Sequence, residues 1–113
     1  MLKKSYRLTK HGSFGFVYRK GENKASPAFS LFYVKSTSLK VGFSVSNKLG
    51  KANVRNKLKR RMRAVIQSLL PLPKYQIVIV ARMPATELDF AGIEKEIIRL
   101  LTKAGIVNEE KEA

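Results

Sequence analysis

The chain of 113 residues contains no cysteine and no tryptophan, and its longest uninterrupted apolar run covers only residues 77 to 81. The absence of cysteine excludes disulfide bonds and thiolate metal sites, and it favours a reducing compartment, so we expect a cytoplasmic protein. The apolar run is too short to span a bilayer, which takes about 20 residues. Polar residues follow Lys3 and Lys4, so we also expect no secretory signal peptide.

Acidic residues are scarce and unevenly distributed. The chain has 8 Asp and Glu against 23 Lys and Arg, which gives a formal net charge of +15. No acid lies between residues 23 and 86, where more than half of the Lys and Arg are found. Nothing inside this stretch neutralises its field, and such a field attracts a polyanion by steering and by counterion release. Charge kept only for solubility would normally mix both signs, so the pattern predicts a polyanionic partner.

Residues that could perform hydrolysis are also few. A metal-dependent nuclease needs carboxylates that converge on its ions, but Asp89 is the only Asp and the acids near it are spaced as cap and surface residues of a helix. A metal-free route needs two positioned acid–base groups, whereas His11 is the only His and is expected on the surface of a first helix. We therefore predict no catalytic residue and no metal site in this chain.

The residues that are present predict alternating helices and strands. The predicted elements are a helix at 8–20 that Thr9 could cap, a loop or short edge strand at 24–27, strands at 29–35 and 39–46, a helix at 51–70 ended by Pro71 and Pro73, a buried strand at 75–81, and a last helix. This order predicts an α+β fold with helices packed on one sheet. We expect a single domain over residues 1–107, followed by an acidic tail at 108–113.

The last helix is predicted to begin at a cap formed by Thr86 and to end at Gly105. Glu87 and Asp89 would then lie in its first turn, at the positive end of the helix dipole. Its predicted core stripe consists of Phe90, Ile93, Ile97, Leu100, Leu101 and Ala104.

The helix at 51–70 carries the chemistry that is easiest to interpret. Five apolar residues fall within a sector of roughly 80° at 3.6 residues per turn, and we expect them to pack on the sheet: Val54, Leu58, Met62, Val65 and Leu69. Cations fan across the opposite side, Arg55 and Arg61 lie at the borders, and Lys48 and Lys51 extend the patch into the preceding loop.

A solvated charged face and a membrane-surface helix are the two alternative readings. The first is disfavoured because no acid lies four residues away to relieve the repulsion between the cations. The second is disfavoured because the apolar stripe has neither Trp nor Phe and the helix lies between predicted strands. Charges at i, i+3 and i+4 can each meet a separate phosphate, so we expect this helix to bind RNA.

The strand before this helix has one bulky and one bare face. Val41, Phe43 and Val45 alternate with small residues, which are Gly42, Ser44 and Ser46. The bare face would let a backbone approach closely, with aromatic rings nearby for unpaired bases. Phe14 and Tyr18 could supply such rings, but their spacing alone equally fits core residues of the first helix.

Three runs of the sequence form a recognisable pattern: VGFSVS at 41–46, KLG at 48–50 and ANVRNKLKR at 52–60 with Arg63 beyond. They are similar to a V-G-x-S-V-S strand followed by R-N-R-x-K-R-x-x-R, and this is a resemblance to the bacterial ribonuclease P protein subunits. It continues in Arg7, in F-x-x-V-Y-x-x-G at 14–21, and at 77–84, so that it covers nearly the whole chain.

The resemblance implies an α-β-β-β-α-β-α sandwich like domain 2 of ribosomal protein S5, with a left-handed β-α-β crossover, a rare exception to the usual rule. It also implies a cofactor role: such proteins assist a catalytic RNA that removes 5′ leaders from precursor tRNA. The catalytic RNA would then hold the Mg²⁺, and no membrane or obligate protein partner is expected. The implied contacts with the catalytic RNA are Lys48, Lys51, Arg55, Asn56, Lys57, Lys59, Arg60 and Arg63, and the implied leader cleft consists of Phe14, Tyr18 and Phe32.

This sequence departs from the family pattern at four positions. Lys57 replaces the usual Arg, which keeps the charge but loses a bidentate contact. Arg61 adds a charge, Asn47 stands where a second Lys is frequent, and Phe32 lacks the hydroxyl of a Tyr. The alternative function that shares the basic helix is a purely structural RNA-binding protein of the ribosomal or RNA-chaperone type.

Overall fold

The computed structural model describes the backbone of residues 6–8 and 11–107, and the side chains of residues 6–8 and 14–107. Its elements are α1 (His11–Lys20), β1 (Glu22–Ala25), β2 (Phe29–Lys35), β3 (Lys40–Ser44), α2 (Ala52–Leu69), β4 (Tyr75–Ala81) and α3 (Phe90–Lys103), with short 3-10 turns at Asn47–Leu49 and Met83–Glu87. The predicted α+β order is confirmed, and the uncertain segment near residue 24 is the edge strand β1. The predicted cap Thr9, the side chain of His11 and the tail at 108–113 lie outside the described residues.

The four strands form one mixed sheet in the order β1-β2-β4-β3. β2 is antiparallel to both β1 and β4, whereas β3 and β4 are parallel neighbours with Val41 opposite Ile77. Parallel neighbours need a crossover connection, and α2 is that connection. The left-handed sense of the crossover stays a prediction of the resemblance.

The two faces of the sheet are covered differently. On one face α2 and α3 pack on the main core, which includes the fully buried Phe29, Ile77 and Ile79. On the other face a smaller cluster joins Val17 of α1 to Val78 and Leu8. The short segment before α1 is tied to the sheet edge, because the Leu8 N–H donates to the Val41 carbonyl at 2.9 Å. The second face is therefore the more open one.

The buried stripe of α2 differs from the predicted one at both ends. Leu58, Met62 and Val65 are buried as predicted, and Ile66 is fully buried as well. Leu69 is half-buried, and Val54 is 40% exposed. Val54 lies in the first turn of α2, where its neighbour is the turn Met83–Glu87 rather than a helix, so nothing covers it fully.

The prediction that Thr86 caps the last helix is wrong. Thr86 donates its hydroxyl to the Met83 carbonyl at 2.8 Å within the 3-10 turn, and α3 begins four residues later. Asp89 is the N-cap, since its Oδ1 accepts the Gly92 N–H at 2.8 Å. Phe90 is consequently the first helical residue and is 40% exposed instead of buried.

The rest of α3 agrees more closely with the prediction. Its buried residues are Ile93, Ile97, Leu100 and Leu101, while Ala104 is half-buried just past the helix. Gly105 ends the helix with φ +80°, a left-handed conformation that glycine adopts without strain. Of the described helices, none is both long and apolar enough to cross a bilayer.

Asp89→Ala is expected to lower the free energy of unfolding by about 1 kcal/mol, because the first turn of α3 loses its capping carboxylate. Urea denaturation monitored by circular dichroism would measure the change. Thr86→Ala is the matched control and should cost less, since it removes a hydroxyl only from the exposed 3-10 turn. A larger cost for Thr86→Ala than for Asp89→Ala would contradict this assignment of the cap.

Candidate nucleic-acid interface

The side of α2 that faces away from the sheet carries the predicted cations. Asn56, Lys57 and Arg60 are exposed on it, opposite the buried Leu58 and Met62. An open groove of about 730 Å³ follows this side and is lined by Asn56, Arg60, Arg63, Ala64, Gln67 and Ser68. No acidic residue occurs anywhere in the helix, and its cations all lie between residues 55 and 63, so that part of its outer surface is positive.

The N-terminal end of α2 is also arranged for an anion. Lys51 is the N-cap residue and makes no side-chain capping hydrogen bond, and the first turn contains no acid. The Val54 N–H of this turn donates to Asn53 Oδ1 at 2.9 Å, but the helix dipole still favours a negative group at this end. Lys48 is exposed in the preceding 3-10 turn, and Arg55 is held by donation from its Nε to the Gly50 carbonyl at 3.1 Å. These cations adjoin a helix end that lacks a negative partner.

Two further cations of α2 lean towards the edge of the sheet. Lys59 and Arg63 are half-buried and line a groove of about 240 Å³ together with Arg7, Leu8, Phe14, Val41, Gly42 and Phe43. Arg7 was not among the predicted contacts with the catalytic RNA. The sequence offered little reason to predict it, because Arg7 is far from the basic helix along the chain. It comes close to α2 in space only because the N-terminal segment pairs with β3.

Phe14 covers the part of β3 that was predicted to be bare. Gly42 is buried, and a Cβ built on it would lie 2.5 Å from Phe14 Cζ and 2.7 Å from Phe14 Cε2. The prediction of an open strand face is therefore wrong at Gly42: the missing side chain admits the ring of Phe14 rather than a ligand. Ser44 is half-buried and Ser46 is exposed, so the bare face remains open only beyond this point.

The other two predicted cleft residues form an accessible aromatic pair. The rings of Tyr18 and Phe32 meet edge to face, with centroids 5.0 Å apart. Tyr18 is 40% exposed and Phe32 is half-buried, whereas Val17 of α1 is fully buried. The two residues of α1 therefore differ in their packing: Phe14 is half-buried against Gly42, and Tyr18 is at the surface.

Gly42→Ala is expected to destabilise the protein by about 1–3 kcal/mol, because the new methyl group must displace the ring of Phe14. In a Phe14→Ala background the same substitution should cost much less, since the obstructing ring is gone. A double-mutant cycle of urea denaturation measures this coupling. Equal costs in the two backgrounds would show that the ring does not rest on Gly42.

Comparison with known proteins agrees with this geometry. The Ribonuclease P family model matches residues 2–105. A ribonuclease P protein component from Streptococcus agalactiae is 38% identical over 109 residues, which cover 94% of this chain and 100% of the relative. The structure of the Staphylococcus aureus RNase P protein matches with a TM-score of 0.87 at 30% identity, over 93% of this chain and 100% of the other. For the Thermotoga maritima RNase P protein the TM-score is 0.79 at 28% identity, over 86% and 96% of the two chains. The chain therefore belongs to the ribonuclease P protein family.

Proposed function

We propose that this chain binds the catalytic RNA of ribonuclease P through α2 and the 5′ leader of precursor tRNA through the cleft beside α1. As a ribonuclease P protein component, it is part of an endoribonuclease holoenzyme that processes tRNA. The observation that supports RNA binding most directly is α2 itself, which is buried on one side and bears cations without a single acid on the other. Such a helix is a rigid docking surface for a phosphate backbone.

The spacing of the cations suits successive phosphates. Asn56, Arg60 and Arg63 follow one another at i, i+4 and i+7 along the groove, so they rise along the axis by about one helical turn of 5.4 Å at a time. Arginine offers bidentate hydrogen bonds to phosphate, and Asn56 adds a neutral donor and acceptor. Lys48, Lys51 and Arg55 continue this surface to the N-terminal end of α2, where an anion is favoured electrostatically.

The proposed leader site depends on Tyr18 and Phe32. Their edge-to-face arrangement leaves Tyr18 accessible for stacking with an unpaired base, and base–aromatic stacking is tolerant of sequence. Phe14, one turn of α1 before Tyr18, fills the space above Gly42 and lines the same groove as the cations Lys59 and Arg63. A strand of RNA could therefore continue from the cleft to α2 without leaving the protein surface.

We assign the chemistry to the RNA subunit. Among the described residues, no three His, Cys, Asp or Glu side chains lie close enough together to hold a metal ion, and the exposed side of α2 carries cations that repel one. The residues that the structure describes do not fit a Mg²⁺ site, so we propose that the RNA holds this ion. We further propose that the protein works in the cytoplasm with the catalytic RNA and precursor tRNA and needs no obligate protein partner.

Reconstitution tests this function. The purified chain should leave precursor tRNA intact, whereas the chain added to the catalytic RNA at low Mg²⁺ should restore cleavage at the mature 5′ end. Tight RNA binding without any stimulation of cleavage would instead favour a structural RNA-binding protein of the ribosomal or chaperone type.

Replacing Arg60 and Arg63 together by Ala is expected to weaken binding to the catalytic RNA and to reduce the slope of log K against log salt concentration by about one for each lost phosphate contact. The matched control is Lys95→Ala with Lys103→Ala, which removes two exposed cations from α3. Binding titrations at several salt concentrations give both quantities. Equal effects of the two double variants would mean that net charge, and not the α2 surface, governs binding.

Tyr18→Leu is expected to reduce the preference for precursor over mature tRNA by about tenfold, because a base loses its stacking partner. Phe16→Leu is the control, since Phe16 lies on the same helix and is 41% exposed against 40% for Tyr18. The measurement is the affinity of the holoenzyme for tRNA with and without a leader. A loss of the same size for both RNAs would argue against a leader site at Tyr18.

A further inference from the structure

Two residues depart from their predicted roles at the same place in the fold. Val54 is 40% exposed although it belongs to the apolar stripe of α2. Thr86 does not begin α3, so the segment facing Val54 is the 3-10 turn Met83–Glu87 instead of a helix. The two differences leave a groove of about 200 Å³ between the start of α2 and this turn.

The groove has an apolar floor and a positive wall. Its lining consists of Val54, Lys57, Leu58, Arg61, Ala85, Thr86, Leu88 and Ile93. No acid is among these residues. The two cations both come from α2, and Lys57 also borders the outer surface that carries Arg60, so the wall is continuous with the surface proposed to bind the catalytic RNA.

Arg61 makes one long hydrogen bond at this groove. Its Nη1 donates to the Leu88 carbonyl at 3.4 Å, and the residue is half-buried. A guanidinium group has five N–H donors, so one bond to a carbonyl orients the group and leaves donors for a ligand. An arginine positioned in this way loses little further side-chain entropy when it meets a phosphate.

We propose that this groove takes one unpaired nucleotide of RNA, with its base against Val54 and Leu88 and its phosphate on Arg61 and Lys57. The proposal rests on the function proposed above and adds Arg61, Val54 and Leu88 to the proposed RNA-binding surface.

Charge favours a nucleotide over an apolar peptide as the occupant. A peptide segment would fill the floor but cover the half-buried Arg61 without giving it an anionic partner, which costs free energy. The acids nearest in sequence to the lining residues are Glu87, Asp89 and Glu94, none of which lines the groove. The carboxylate of Asp89 accepts the Gly92 N–H at the start of α3. The phosphate is therefore placed on the α2 side of the groove.

Arg61→Gln and Val54→Thr test the two halves of the site in the full-length chain with the catalytic RNA as the probe. Gln can still donate an N–H towards the Leu88 carbonyl, and Thr has nearly the shape of Val, so both variants should fold. Arg61→Gln should weaken binding about tenfold, as expected for a charged hydrogen bond, and lower the salt slope by about one. Val54→Thr should weaken binding about threefold without changing the slope. Lys95→Gln on α3 is the charge-matched control.

The outcomes separate this proposal from the function on which it rests. If Arg61→Gln behaves like Lys95→Gln while the Arg60 and Arg63 double variant still loses affinity, the groove is not a nucleotide site and the function stands. If the double variant also retains full affinity, the function itself fails. An effect of Arg61→Gln without one of Val54→Thr would overturn the placement of the base.

Discussion

The rest of the structure depends on the burial of one side of α2. The helix concentrates cations with no acid among them, and like charges four residues apart destabilise an isolated helix. Packing of Leu58, Met62, Val65 and Ile66 offsets this repulsion, since full burial of each such side chain contributes roughly 1.5–3 kcal/mol. The helix can therefore keep a surface of uncompensated positive charge even when no polyanion is bound. The same packing fixes which side chains point away from the sheet, so stability and binding depend on one set of contacts.

The topology of the sheet brings the two proposed RNA sites together. Because β3 lies at the edge and pairs in parallel with β4, α2 must cross one face of the sheet to join them. The opposite face is left to α1 and the segment around Leu8, which cover it only in part. The two faces meet along the edge of β3, where Phe14 rests on Gly42 and Arg7 lies beside Lys59 and Arg63. A single RNA surface around that edge would let a chain of this size contact both of the proposed partners, the RNA subunit and the substrate.

Much of this architecture could be predicted from the sequence, because its elements have strong local signals. The strand at Tyr75–Ala81 was predicted to the residue, and α2 to within one residue at each end, since a β-branched run and prolines mark those boundaries. The cap of α3 was mispredicted because Thr86 and Asp89 are both suitable capping residues, and the 3-10 turn that decides between them is stabilised by contacts that the sequence does not reveal. The exposure of Val54 follows from the same turn, and so could not be foreseen from the helical periodicity of α2.

The sequence predicts which residue types form the candidate site, but it predicts their contacts in space less well. The cations of α2 are recognisable from their spacing alone. The position of Phe14 over Gly42 is a contact between α1 and β3 that no local pattern specifies, and it turns a predicted open strand face into packed surface. Arg7 joins the cations of α2 only through the tertiary structure at the sheet edge, and the contact of Arg61 with the Leu88 carbonyl is likewise one that no local pattern specifies.

Lysine acetylation followed by mass spectrometry, with and without the catalytic RNA, tests the central claim most directly. The account predicts that Lys51, Lys57 and Lys59 become protected when the RNA binds, while Lys95 and Lys103 on α3 keep their reactivity. Equal protection of both groups, or protection confined to α3, would contradict a docking surface on α2.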